Sequence, residues 1–256
     1  MDLITDGLQL LYGDCLARMA ALPAGSVDLI LTDPPYGTTA CRWDSVIPLD
    51  PMWLAITRLS KPTTPAVFTA AQPFTTTLIA SNLKKFKYCW YWDKGAVTGF
   101  ANAKKQPLRQ IEDVAVFYAR QCAYNPQGLT PHGKTRKNHI ADGGQSLKMW
   151  HDSNGAGRSQ TPGLERVQEF TNYPRQLLCI PRDTPRVHPT QKPVELMAYL
   201  IRTYTSPGDV VLDFTMGSGT TGISAVQEGR RFIGIERDPE YYALACTRIM
   251  QARASC

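Results

Sequence analysis

The sequence predicts a doubly wound α/β fold, a mostly parallel sheet with helices packed on both faces. Three observations predict it. Short, continuous apolar runs alternate with segments of helical periodicity, which is the pattern of βα crossover units rather than of hairpins. One run, DVVLDF over residues 209–214, passes through a Gly-x-Gly turn into a helical pattern. The 256 residues suffice for one large domain of this kind, or two small ones, and no more.

In chain order, Leu8–Tyr12 is a short apolar run closed by Gly13-Asp14, and residues 15–22 follow with helical periodicity. Residues 26–32 (SVDLILT) read as a buried strand stopped by Pro34-Pro35. Residues 65–70 and 88–92 are further strands, with a helical segment at 75–83 between them, and residues 114–118 (VAVFY) form another apolar run. Residues 120–187 change character. They are rich in Gly, Pro, Asn, Gln, Ser, Lys and Arg, as in an inserted lobe that is partly loop. Order returns with a helical pattern over Val194–Tyr204, a strand at 209–214 and a helix over Thr220–Gln227 capped by Gly229. A strand at 231–235 and a helix at 239–253, with Pro239 in its first turn, complete the chain. The organisation is therefore one domain in two parts, 1–119 and 188–256, interrupted by an insertion at 120–187. Trp90, Trp92 and Trp150 are expected in the core.

Composition narrows the function. No apolar run approaches the length of a membrane span, and the first residues lack the basic flank and apolar run of a signal peptide, so a cytoplasmic chain is expected. The seven cysteines are scattered, with no CxxC pair, and read as reduced thiols. His132, His139 and His151 fit no common metal spacing, so no metal site is expected. The net charge of +6 is unevenly spread: residues 84–187 hold 17 Lys and Arg against 8 Asp and Glu, and the rest of the chain holds 11 against 14. The middle of the chain thus carries all the excess positive charge, as a solvated basic surface or as a seat for a polyanion.

Two motifs carry chemistry. In the first, Asp213 ends a strand and Gly217-Ser218-Gly219-Thr220-Thr221 turns into a helix. Glycines let the backbone approach a ligand closely, and the helix start offers free N–H groups to a phosphate or a carboxylate. The next strand runs to Glu236, an acid placed to take two ribose hydroxyls. There is no GxGxxG, which argues against a nicotinamide enzyme. In the second motif, Asp33-Pro34-Pro35-Tyr36 follows a strand directly. Two prolines remove two N–H donors, so the backbone there offers only acceptors. With the Asp33 carboxylate beside the Pro34 carbonyl, the natural complement is an exocyclic amino group, and Tyr36 offers a flat face for a base.

Asp33-Pro34-Pro35-Tyr36, then His188-Pro189-Thr190-Gln191-Lys192-Pro193, then the segment from Asp213 to Thr221 together resemble the amino-group DNA methyltransferases. The catalytic motif precedes the cofactor motif, as in the beta-ordered group of that family, and Gly13-Asp14-Cys15-Leu16 also looks like that group. The resemblance implies a Rossmann-like methyltransferase sheet with circularly permuted motif order and an inserted target-recognition region. It implies S-adenosylmethionine as cofactor and double-stranded DNA as substrate, with the target base flipped out and methylated by direct in-line transfer. Asp33 and the Pro34 carbonyl would accept the amine hydrogens, Pro35 would hold the turn, and Tyr36 would stack on the base. Gly217 and Gly219 would line the methionine end of the cofactor below Asp213, with Thr220 and Thr221 near its carboxylate. Glu236 would take the ribose, and Asp14 and Cys15 the adenine or the adjoining wall. Thr190 and Lys192 would close the site, Lys192 facing the cofactor carboxylate. Lys104, Lys105 and Arg109, with Lys134, Arg136 and Lys137, would contact DNA.

An Asp before Pro-Pro-Tyr goes mostly with adenine N6 in this family. Cytosine N4 is the alternative, and a DNA-binding protein with a dead site is a further one. A homodimer and a cognate restriction enzyme both stay open. The chain departs from the family at one point, where Asp213-Phe214-Thr215 replaces the usual Asp-Pro-Phe.

Overall fold

The computed structural model describes residues 1–38, 45–137, 165–184 and 191–255. The chain divides into two compact units. The larger comprises Met1–Asn125 and Arg175–Cys256, and the smaller Pro126–Pro174.

In the larger unit the elements run β1 (Leu3–Thr5), β2 (Leu8–Tyr12), α1 (Cys15–Ala21), β3 (Leu29–Thr32), α2 (Leu49–Leu59), β4 (Ala66–Ala70), α3 (Phe74–Ser81), β5 (Phe86–Thr98) and β6 (Arg109–Phe117). In the smaller unit β7 (Thr130–Lys137) pairs antiparallel with β8 (Glu165–Thr171). There Asn172, at φ 59, donates through its amide to the Gly128 carbonyl at 2.7 Å. The larger unit resumes with β9 (Leu177–Cys179), α4 (Val194–Tyr204), β10 (Val210–Asp213), α5 (Thr220–Gln227), β11 (Arg231–Glu236) and α6 (Pro239–Ala254).

Among the described residues the sheet order is β1-β2-β11-β10-β3-β4-β6-β5-β9. The five strands from β2 to β4 are mutually parallel, and β6 is antiparallel to both its neighbours. The alternation of side chains explains why helices cover both faces. Leu29, Leu31 and Val211 point into one core with Leu196, Leu200 and Ile249 of α4 and α6. Ile30, Phe68 and Leu212 point into the other with Met19, Trp53, Ile56 and Leu78 of α1, α2 and α3. Strands β3, β4 and β10 are buried along their whole length, as a continuous apolar run requires. Trp90 and Trp92 lie in the first of these cores, as expected, while Trp150 lies outside the described residues.

Several boundaries shift from the sequence reading. The strand expected at 26–32 starts at Leu29, because Val27 makes only an isolated bridge to Ser60. The strands expected at 88–92 and 114–118 are much longer, since β5 and β6 pair with each other well beyond the apolar residues. Helix α2 was not anticipated. Pro48 and Pro51 look like breakers, yet Pro48 is its N-cap and Pro51 lies in its first turn, where no N–H is needed. No helix among the described residues is long and apolar enough to cross a membrane.

The topology places the site. From β3 the chain crosses to β4 on one side, and from β10 it crosses to β11 on the other. The ends of β3 and β10 therefore flank a switch point, the place where a doubly wound sheet opens a crevice for ligands.

Candidate active site

Both sequence motifs meet at this switch point. Asp33-Pro34-Pro35-Tyr36 leaves β3, and the turn from Phe214 to Gly219 leaves its neighbour β10. A cavity of about 550 Å³ opens between them. Asp14, Cys15, Asp33, Pro34, Pro35, Tyr36, Lys192, Asp213, Gly217, Thr220, Thr221 and Glu236 line it, each named from sequence. Gly219 stands just behind, as the left-handed N-cap of α5. Thr190 lies outside the described residues. Of the basic residues, Arg109 lines the cavity, whereas Lys104 and Lys105 are exposed on the connection between β5 and β6. Lys134, Arg136 and Lys137 fall on β7 of the smaller unit.

Asp33 is the most heavily bonded group in the cavity wall. Tyr36 donates its hydroxyl to Oδ1 at 2.6 Å, and Thr69 donates to the same oxygen. Lys192 donates to Oδ2 at 2.7 Å. An ionised carboxylate has about four acceptor positions, so Oδ2 keeps one for a ligand. The sequence assigned Lys192 to the cofactor carboxylate; the structure seats it on Asp33, because a buried ammonium takes the nearest anion. The Tyr36 ring stacks on Phe74, with centroids 5.3 Å apart, and Lys192 Nζ lies 5.7 Å from its centre.

Two further charged residues, Lys94 on β5 and Glu112 on β6, were not found by sequence reasoning. Lys94 Nζ pairs with Glu112 Oε1 at 3.1 Å, and Glu112 Oε2 lies 3.5 Å from Lys192 Nζ. Burial pushes the Glu112 carboxyl up, but Lys192 and Lys94 outweigh it and hold it below the usual range. Burial pulls the Lys192 ammonium down, but Asp33 and Glu112 hold it above its ordinary value. The only available signal was a charge inside each strand, which reads as a solvated face until the strands are paired.

The β10 side is also a network. Thr32 donates to Asp213 Oδ1 at 2.7 Å, and the Thr215 amide donates to the same oxygen at 3.1 Å. The Thr215 hydroxyl lies 2.6 Å from the Thr32 hydroxyl and 3.2 Å from the Asp33 carbonyl. Burial pushes the Asp213 carboxyl up to about 6. The departure from Asp-Pro-Phe now has a physical account. Phe214 is buried in the core against Phe68, and Thr215 ties the turn to the Asp33 backbone.

Glu236, at the end of β11, accepts the Gly217 amide on Oε2 at 2.9 Å and the Asp238 amide on Oε1 at 2.8 Å. Each oxygen keeps lone pairs for further donors. Burial raises its carboxyl above the usual range. Asp14 caps α1 by accepting the Ala17 amide at 3.0 Å, and burial pushes the neighbouring Cys15 thiol up to about 11, so it presents a neutral wall. The cavity thus offers a carboxylate acceptor beside a proline carbonyl at one end. At the other it offers a glycine turn and an acid suited to a diol.

Comparisons with known proteins agree with this geometry. The family model for N6/N4 DNA methylases, described as "DNA methylase", matches residues 27–247. The DNA adenine methyltransferase YhdJ of Escherichia coli (strain K12) is 28% identical over 258 residues, which cover 94% of this chain and 82% of that protein. Among solved structures, the M1.HpyAVI–SAM complex superposes with a TM-score of 0.61 at 22% identity, covering 94% of this chain and 99% of that one. The DNA modification methylase TTHA0409 of Thermus thermophilus, complexed with S-adenosyl-L-methionine, gives 0.60 at 24%, covering 96% of each chain. The PvuII DNA methyltransferase, cytosine-N4-specific, gives 0.64 at 18%, covering 96% of this chain and 91% of that one. These structural likenesses show the fold.

Proposed function

The chain belongs to the N6/N4 DNA methylase family, the amino-group DNA methyltransferases, and from that premise we propose that it transfers a methyl group from S-adenosylmethionine to the exocyclic N6 amine of adenine in DNA. The observation that carries this reading is the Asp33 carboxylate at the switch point, opening into one cavity with the Gly217 turn and Glu236. Two things favour adenine. An Asp heads the Pro-Pro-Tyr sequence, and the Escherichia coli relative is by name an adenine methyltransferase. Cytosine N4 is the second reading, favoured by the likeness to the PvuII enzyme and by the similar amine edge of the two bases.

The cavity fits the cofactor. A Cβ placed on Gly217 would meet nothing within 4 Å, so there is open space above the turn. Glu236 has acceptor positions left for a ribose diol. When bound, S-adenosylmethionine supplies an electrophilic methyl carbon on a sulfonium. In this reading Gly217 and Gly219 flank its methionine end, Thr220 and Thr221 its carboxylate, and Asp14 and Cys15 its base, with Thr190 closing the site.

The amine lone pair of a nucleobase is delocalised into the ring and is a poor nucleophile. Hydrogen bonds from the amine to Asp33 Oδ2 and the Pro34 carbonyl would favour a pyramidal nitrogen and concentrate that lone pair. Pro35 fixes the turn that brings the two acceptors side by side. The target base must leave the duplex to reach them, at a cost of about a few kcal/mol. Lys104, Lys105 and Arg109, together with Lys134, Arg136 and Lys137, are assigned to phosphate contacts.

The test is direct. Incubation with methyl-labelled cofactor and DNA of diverse sequence, followed by digestion to nucleosides, should yield N6-methyldeoxyadenosine. Recovery of N4-methyldeoxycytidine instead would move the assignment to the second reading. An unlabelled digest would refute methyl transfer to DNA.

A further inference from the structure

Lys94, Glu112, Lys192 and Asp33 form an alternating row of charges along the cavity wall. Side-chain exposure is 4% for Lys94, 18% for Glu112 and 7% for Lys192, so water does little to screen the row. Its two ends are not equally satisfied. Lys192 is hydrogen-bonded to Asp33 at 2.7 Å, whereas Glu112 Oε2 is buried with no hydrogen-bond partner. Lys94 occupies the other Glu112 oxygen, which fixes the carboxylate and leaves Oε2 aimed along the row, 3.5 Å from Lys192. A shift of a fraction of an ångström would complete that bond. A buried acceptor without a donor is costly and calls for an explanation.

We propose that Glu112, braced by Lys94, is a positioning residue that gives Lys192 a second seat, so that the ammonium passes from Asp33 to Glu112 as the target amine enters. This rests on the reading of Asp33 as the amine acceptor. In the resting site Tyr36, Thr69 and Lys192 already donate to Asp33, and the incoming amine competes with them. Moving Lys192 onto Glu112 frees Oδ2 for the amine. The ammonium stays paired throughout, and no charge enters or leaves the wall.

The test compares wild type with Glu112→Gln, which keeps the shape, and with Glu112→Asp. The paired variant Lys94→Met/Glu112→Gln removes one charge of each sign, should the single change fail to fold. Lys192 acetylation by acetic anhydride, followed by mass spectrometry in the free enzyme, reads how tightly the ammonium is held. It should rise about threefold in Glu112→Gln, because one of two anions is lost. Steady-state transfer should show kcat down about tenfold with the KM for cofactor within about twofold, and partial rescue in Glu112→Asp. Unchanged Lys192 labelling would overturn the proposal, and so would raised labelling with an unchanged kcat. If wild type transfers no methyl to DNA, the functional reading fails with the amine step built on it, and labelling still decides whether Glu112 shares Lys192.

Discussion

The side chains of Thr32 and Asp213, 181 residues apart in sequence, are joined by a buried hydrogen bond of 2.7 Å across the ends of β3 and β10. This bond lies between the two halves of the site. Thr32 precedes the catalytic tetrapeptide and Asp213 precedes the glycine turn. Thr215 extends the link to the Asp33 backbone, with one hydroxyl proton to share between Thr32 and the Asp33 carbonyl. The amine acceptor and the glycine turn are thus held in register by side chains as well as by the strand ladder.

That arrangement gives stability a pH dependence. Burial, the largest cause, raises the Asp213 carboxyl to about 6, against its ordinary value of 3.8. The folded chain then holds this proton more tightly than the unfolded one. The group opposes folding increasingly as pH rises from about 4 to about 6, by about 2–3 kcal/mol at the plateau. Asp213→Asn keeps an acceptor for Thr32 and should flatten that decline. Urea unfolding at pH 4, 5, 6 and 7 measures it, and a parallel decline in both proteins would show that Asp213 is not its source.

The two turn glycines should behave differently on substitution by Ala. Gly219 sits at φ +85, where an added Cβ would lie 3.0 Å from Ala245 Cβ and 3.1 Å from the Ala245 backbone. Gly219→Ala should lose about 1–3 kcal/mol of stability. Gly217, at φ +49, has open space around it, so Gly217→Ala should cost the fold only about 1–2 kcal/mol. Its methyl group would enter the cavity and should weaken S-adenosylmethionine binding more than it lowers the melting temperature. Calorimetric titration beside thermal melts separates the two. Equal loss of affinity and stability at both positions would refute the distinction.

The sequence made the parallel core legible, because β3, β10 and β11 and helices α4 and α5 are local patterns with their own stop signals. Asp33 to Tyr36 and Gly217 to Glu236 were legible for the same reason: each role follows from residue type at a strand end. Partners that depend on pairing distant strands were not. Lys94 and Glu112 become a buried ion pair only when β5 folds onto β6, and Thr69 reaches Asp33 only from β4. Lys192 was found as a cation in the right motif, but its partner was set by which anion lay nearest in three dimensions.

Asp33→Asn should separate chemistry from binding. The amide keeps the size of the side chain but removes the anion and one acceptor, so the target amine loses its strongest partner. Transfer should fall by about a hundredfold or more, while calorimetry shows S-adenosylmethionine binding within about threefold of wild type. A variant that turns over at the wild-type rate would remove Asp33 from the reaction.

The connection between β5 and β6 should contribute to DNA affinity through charge alone. Lys104 and Lys105 are exposed on it, and Arg109 stands where β6 begins, at the cavity wall. Each cation that neutralises a phosphate releases condensed counterions, so affinity falls with salt in proportion to the number of contacts. Replacing all three by Gln should weaken binding to non-specific duplex and reduce the slope of log K against log salt by about 3. The same substitutions at Lys84, Lys85 and Lys87 supply the control, since these residues lie at the opposite end of β5 and do not line the cavity. Equal changes in slope for both sets would mean a diffuse electrostatic attraction, with no DNA path over the cavity rim.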